Sequence, residues 1–129
     1  MSKKVISIVL CLALVVAMAV PAFAATTTLY SRTNAGYRIT GTATVSSSSA
    51  STTMTASEVS GTPLKPIEEY SDSSVLIRAY NRAGKQIGTA SNSGYPTLSV
   101  TYSGAGSIYK IGVTHTFNNT TYGAYYLYA

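Results

Sequence analysis

The sequence predicts an all-β protein, an antiparallel sandwich of about seven short strands. Period-two alternation recurs along the chain and long helical periodicity is missing. Threonine, serine, tyrosine and glycine are abundant, a strand-and-turn composition. The segments are joined mainly by short polar turns, which make neighbours antiparallel.

A cleavable signal helix is expected ahead of the strands. Lys3 and Lys4 supply the positive start, residues 5–20 are apolar and uncharged, and Ala22-Phe23-Ala24 is a small-x-small cleavage site. The apolar run is roughly 16 residues, short for a span that needs about 20. Cys11 sits inside that run and does not border the mature chain, which argues against lipid attachment. The expected organisation is residues 1–24 as signal peptide and 25–129 as a single domain, secreted or extracellular, with no membrane span after cleavage. Such a domain has roughly 105 residues, a usual domain size.

The only cysteine leaves with the leader. The mature chain therefore has no disulfide, no thiol chemistry and no cysteine-ligated metal. Burial and strand pairing must stabilise it.

The first strand spans residues 37–45. Tyr37, Ile39, Gly41, Ala43 and Val45 take one face; Arg38, Thr40, Thr42 and Thr44 take the other. After a turn at 46–49, residues 50–56 return with Ala50, Thr52, Met54 and Ala56 inward. These inward residues are mostly small and suit packing against something bulkier. Residues 59–73 form a long connection holding Pro63 and Pro66, with a helical turn expected at Pro66. Residues 75–82 place Val75, Ile77 and Ala79 inward. A three-residue loop, Arg82-Ala83-Gly84 with Gly84 left-handed, leads to strand 85–91 and sets Ala79 opposite Ile87. "SNSGYP" reads as a loop. Strand 97–102 turns Leu98, Val100 and Tyr102 to one face. Strand 108–117 turns Tyr109, Ile111, Val113, His115 and Phe117 inward. Asn118-Asn119 makes a turn, and 122–128 closes the fold. Parity across that even-length turn puts Tyr122, Tyr126 and Tyr128 on the core side, with Tyr125 and Leu127 outward.

At "GSIYKIGVTHTF" the chain resembles the penultimate strand of immunoglobulin-like and fibronectin type III-like sandwiches. Tyr109 takes the place of their corner tyrosine and Ile111 that of the second cysteine. Over most of residues 37–128 it is also similar to small secreted proteins of Gram-positive bacteria, through "TATVS", "VLIRAYNRAGKQIGTAS" and "LSVTYSGAGSIYKIGVTHT". The resemblance implies an immunoglobulin-like sandwich and no activity, because such sandwiches host many functions. The chain departs from true immunoglobulins in lacking both cysteines and any tryptophan.

Chemistry-bearing residues are sparse. His115 is the single histidine, with threonines beside it, and reads as a structural residue at a strand edge. Glu68, Glu69 and Asp72 lack the ordered spacing of a calcium loop and read as a solvated acidic loop. No serine sits in a Gly-x-Ser-x-Gly turn, and no phosphate-cradling loop is present. Asn118 and Asn119 match a glycosylation sequon, but the turn explains them. The expectation is a protein with no cofactor, no metal and no enzymatic activity.

Binding is the remaining chemistry. Arg78, Tyr80 and Arg82 project on one side of their strand, where two guanidiniums flanking a ring can grip an anionic or sugar ligand. Tyr125 is the outward tyrosine of the last strand. The net charge of +5 falls to about +3 once the leader is removed, a mild attraction for anionic surfaces. That is far from the dense basic stripe of a nucleic-acid binder. The partner expected is a cell-wall polymer, a glycan or a surface protein. The reading that follows is a secreted non-catalytic module at the bacterial cell surface. A secreted antibacterial, bacteriocin-like protein is the alternative, and a small hydrolase comes third.

Overall fold

A computed structural model describes residues 25–104 and 107–129. The signal peptide expected at residues 1–24 lies outside the described residues. The described chain is all-β, with eight strands in two four-stranded antiparallel sheets that face each other as a sandwich. The strands are β1 (Thr27–Asn34), β2 (Tyr37–Val45), β3 (Ser49–Glu58), β4 (Ser73–Tyr80), β5 (Gln86–Gly94), β6 (Leu98–Ser103), β7 (Lys110–Phe117) and β8 (Thr120–Tyr128). One sheet runs β1-β2-β3-β6 and the other β5-β4-β7-β8. Among the described residues no helix is long and apolar enough to cross a membrane.

The alternating segments fold as their pattern dictates. Tyr37, Ile39, Gly41, Ala43 and Val45 of β2 are all buried, as are Ala50, Thr52 and Met54 of β3. Val75, Ile77 and Ala79 face the core from β4, and Ile111, Val113, His115 and Phe117 from β7. The core has two lobes. Phe117, Tyr37 and Tyr70 pack ring to ring in one, with Ile39, Met54 and Val75. Ile77, Ala79, Ile108, Ile111 and Val113 form the other. Pro66 stands just before the short 3-10 turn Ile67–Glu69, as its fixed φ favours.

β1 is a strand that alternation does not reveal. Its inward residues are the adjacent Leu29 and Tyr30, because the pairing slips between Thr28 and Tyr30. Tyr30 is the bulky partner that the small residues of β2 accommodate. A Cβ on Gly41 would lie 2.2 Å from the Tyr30 ring, so the ring occupies the space a side chain would fill. The other small inward positions, Ala43 and Ala50, line the second lobe.

Three register expectations are corrected. The Arg82-Ala83-Gly84 loop forms: the Asn81 N–H donates to the Lys85 carbonyl at 2.9 Å, and Gly84 has φ +83°. The register beyond it slips by one, however, so Ala79 meets Gly88. The extra residue is Ile87, which packs on the core lobe of Ile77 and Ile111, while Gly88 lies under the Tyr102 ring. Second, β5 continues through Gly94, because Ser73 and Ser74 at the start of β4 pair with Gly94 and Ser93. Third, Tyr109 precedes β7 and is 38% exposed, while Ile108 faces the core. Tyr109 is therefore not a buried corner tyrosine, although Ile111 is inward as expected.

The last strand carries the largest correction. Asn118 and Asn119, with φ of 50° and 58°, form the two-residue turn and pair Phe117 with Thr120 and His115 with Tyr122. Between Val113 and His115 the register then shifts, so Val113 faces Tyr125 and Ile111 faces Leu127. The additional residue inverts every face after it. Tyr125 and Leu127 point to the core, and Tyr126 and Tyr128 point outward, 56% and 63% exposed.

Candidate functional site

The two kinds of polar feature in this sandwich lie on opposite sides of one sheet. His115, from the inner side of β7, is fully buried between the sheets and is not an edge residue, since β7 lies between β4 and β8. The Thr52 hydroxyl donates to the Thr42 carbonyl at 2.7 Å, so its lone pair accepts the Nε2–H of His115 at 2.8 Å. The opposite nitrogen, Nδ1, accepts the Tyr30 hydroxyl. This assignment satisfies every polar atom with a neutral ring. Burial pushes the imidazole down to about 4 and holds the Tyr30 phenol well above its ordinary value, with Tyr122 and Tyr125 adding to the latter. Tyr30 also stacks on Tyr122 at 4.7 Å and Tyr125 at 5.6 Å. Both ring nitrogens are engaged, so His115 offers no free nitrogen to a substrate. Its role is to tie β1 and β3 to β7.

The outer side of the same sheet is different. Register sets Gln86, Tyr80, Lys110 and Tyr128 in one row across it, and Thr89, Arg78, Gly112 and Tyr126 in the next. Residues in a row share a face, so three tyrosines and two cations stand together. Lys110 Nζ lies 5.1 Å from the ring centres of both Tyr80 and Tyr126, within cation–π range. Gly112 makes the close approach possible: a Cβ there would lie 3.1 Å from Tyr126 Cε1 and 3.7 Å from Tyr80 Cε2. The two rings thus lean over bare backbone. At the end of this face Tyr128 meets Tyr109 edge-on at 5.6 Å, and the Arg82 guanidinium lies 4.9 Å over Tyr109.

Of the residues singled out from sequence, Arg78 and Tyr80 sit on this face as expected. Arg82 is beyond the end of β4, in the loop, and joins through Tyr109. Tyr125 does not: it is half-buried on the inner side against Tyr30, because the shift in β8 turns it inward. Sequence reasoning missed Lys110, Tyr126 and Tyr128. Parity within β7 marks Lys110 as outward; nothing short of the β8 register marks the tyrosines.

Charge is distributed unevenly. β4, β5, β7 and β8 contain no carboxylate side chain. Glu58, Glu68, Glu69 and Asp72 gather near the start of β4, and its eight residues carry the chain about 25 Å to Tyr80. Among the described residues no group of three or more His, Cys, Asp or Glu is arranged to hold a metal. No family model, curated protein or solved structure matches this chain.

Proposed function

We propose that this chain is a secreted, non-catalytic β-sandwich module that binds an anionic glycan of the cell surface on the outer face of the β5-β4-β7-β8 sheet. The observation that carries the reading is Lys110 held between Tyr80 and Tyr126 on a sheet without carboxylate side chains. Flat rings over a glycine floor suit stacking against the apolar face of a sugar, and the adjacent cations suit its acidic groups. Export is supported by the N-terminal basic start, apolar run and small-residue cleavage site.

An immunoglobulin-like arrangement is part of the reading. The order β5-β4-β7-β8 resembles that of the added, third, penultimate and last strands in one sheet of variable-type sandwiches. The other sheet departs from that plan, because β3 returns beside β2 as a hairpin and stands between β2 and β6.

Retention of the exported protein on insoluble cell wall and on acidic polysaccharide tests the binding. Tyr126→Ala and Lys110→Ala should each weaken retention by about tenfold, the scale of one partly desolvated cation–π or stacking contact. Their unfolding midpoints should stay near that of the parent, because both side chains lie on the solvent side. Added salt should weaken the parent more than Lys110→Ala. Equal retention of both variants and the parent would sink the reading.

A further inference from the structure

We propose that β8 is a pairing edge through which two copies of this chain join into one continuous eight-stranded sheet. Every open sandwich has four sheet edges, and an edge left bare invites another strand. Three of the edges here are managed. β1 carries Arg32 and a register slip between Thr28 and Tyr30. β5 and β6 lie on the same side of the sandwich and are laced together. Asn92 Nδ2 donates to the Ser99 carbonyl at 3.1 Å, and the Tyr102 hydroxyl donates to the Ile87 carbonyl at 3.4 Å.

β8 has a guarded half and an open half. Its first half is tied to β1, where Asn34 Nδ2 donates to the Thr120 and Tyr122 hydroxyls. Beyond the register shift, residues 125–128 pair regularly with β7, and among the described residues no strand pairs with their other side. This run is Tyr-Tyr-Leu-Tyr. It has no charge, no proline and no bulge, and its three tyrosines favour a strand.

The occupant that fits is a second β8, because the segment is complementary to itself. Antiparallel pairing must match inner faces with inner faces, so the two-fold axis passes through a residue rather than between two. Centred on Tyr126, the pairs from 125 to 127 fall within the regular run, and Tyr128 meets Ala124 at its margin, still within β8. Tyr125 then meets the partner's Leu127 on the inner side, apolar against apolar, and Tyr126 meets its own copy outside. Centred on Leu127, Tyr125 would face residue 129, outside β8. No like charges are brought opposite each other. The sheet order becomes β5-β4-β7-β8 followed by its reverse, and both outer faces point the same way. This pairing does not depend on the glycan reading, since it is made by backbone and by inward side chains.

Thiol cross-linking tests it directly. Cys11 is the single native cysteine, and Cys11→Ser removes it wherever the leader is retained. In that background Tyr126→Cys places two thiols opposite each other on the axis, within disulfide reach. Mild oxidation should convert most of the protein to a covalent dimer. Ser31→Cys on β1 should stay monomeric under the same conditions. The parent should sediment as a dimer at high concentration and dissociate on dilution. Cross-linking through Ser31→Cys in place of Tyr126→Cys would overturn the proposal. A parent that stays monomeric at every concentration would also overturn it, and would leave the edge to an extended segment of another protein.

Discussion

Between pH 7 and pH 4 the domain should lose about 3 kcal/mol of stability through His115 alone. The sign follows from where the proton goes. In the unfolded chain the imidazole protonates near its ordinary value of about 6.5. In the folded chain burial lowers that to about 4. Across this window the unfolded state binds more protons, so acid pulls the equilibrium toward it. The contribution is fully present above the upper limit and is lost as pH falls through the lower one. Chemistry gives the same direction: a proton on Nδ1 would confront the hydroxyl hydrogen that Tyr30 now donates. The measurement is the urea midpoint at pH 7 and pH 4.5 for the parent and for His115→Leu. The variant should be weaker at pH 7 by about 1 to 3 kcal/mol, because the buried Tyr30 hydroxyl loses its acceptor. Its response to acid should be flatter than the parent's. Equal acid responses would show that His115 does not set this dependence.

Gly123→Ala should be the most damaging conservative change in β8. Gly123 has φ +123°, which side-chain-bearing residues rarely adopt. A Cβ there would also lie 2.5 Å from the Val113 carbonyl oxygen, which is backbone and cannot step aside. The expected loss is about 2 to 4 kcal/mol, or about 10 °C or more in Tm for a domain of this size. Gly61→Ala is the mild comparison. Gly61 has φ +74° with nothing within 4 Å of an added Cβ, so only the conformational cost of about 1 kcal/mol remains. Similar losses in the two variants would show that neither the wider φ of Gly123 nor its close approach to Val113 carries weight.

The strands that sequence revealed are those with one dry face and one wet face. β2, β4 and β7 each bury every second side chain, and that requirement writes a period of two into the residues. β1 lacks the signature because its inward residues, Leu29 and Tyr30, are neighbours in sequence and its pairing slips at Leu29. The bulges are harder. One additional residue in β5 or β8 leaves composition unchanged and reverses all that follows, and only the partner strand defines it. Gly123 was the visible trace, since a glycine inside a strand often marks such a place. The candidate face shows the same division. Arg78 and Tyr80 follow from parity within a single strand, whereas Lys110 between Tyr80 and Tyr126 is a meeting of three strands whose register a linear reading does not contain.

The separation of charge along the sandwich has a mechanical consequence. Arg32, Arg38 and Lys65 share one end with all four acidic side chains, while Arg78, Arg82, Lys85 and Lys110 occupy the other half, which holds no acidic side chain. The molecule is thus an electric dipole aligned roughly with its strands. Near any anionic surface the field exerts a torque that swings the Arg82 end inward and the acidic connection outward. Only afterwards does contact occur. Of all the orientations in which the domain could arrive, it lands mostly in those that bring Tyr109 and Tyr128 close to the surface.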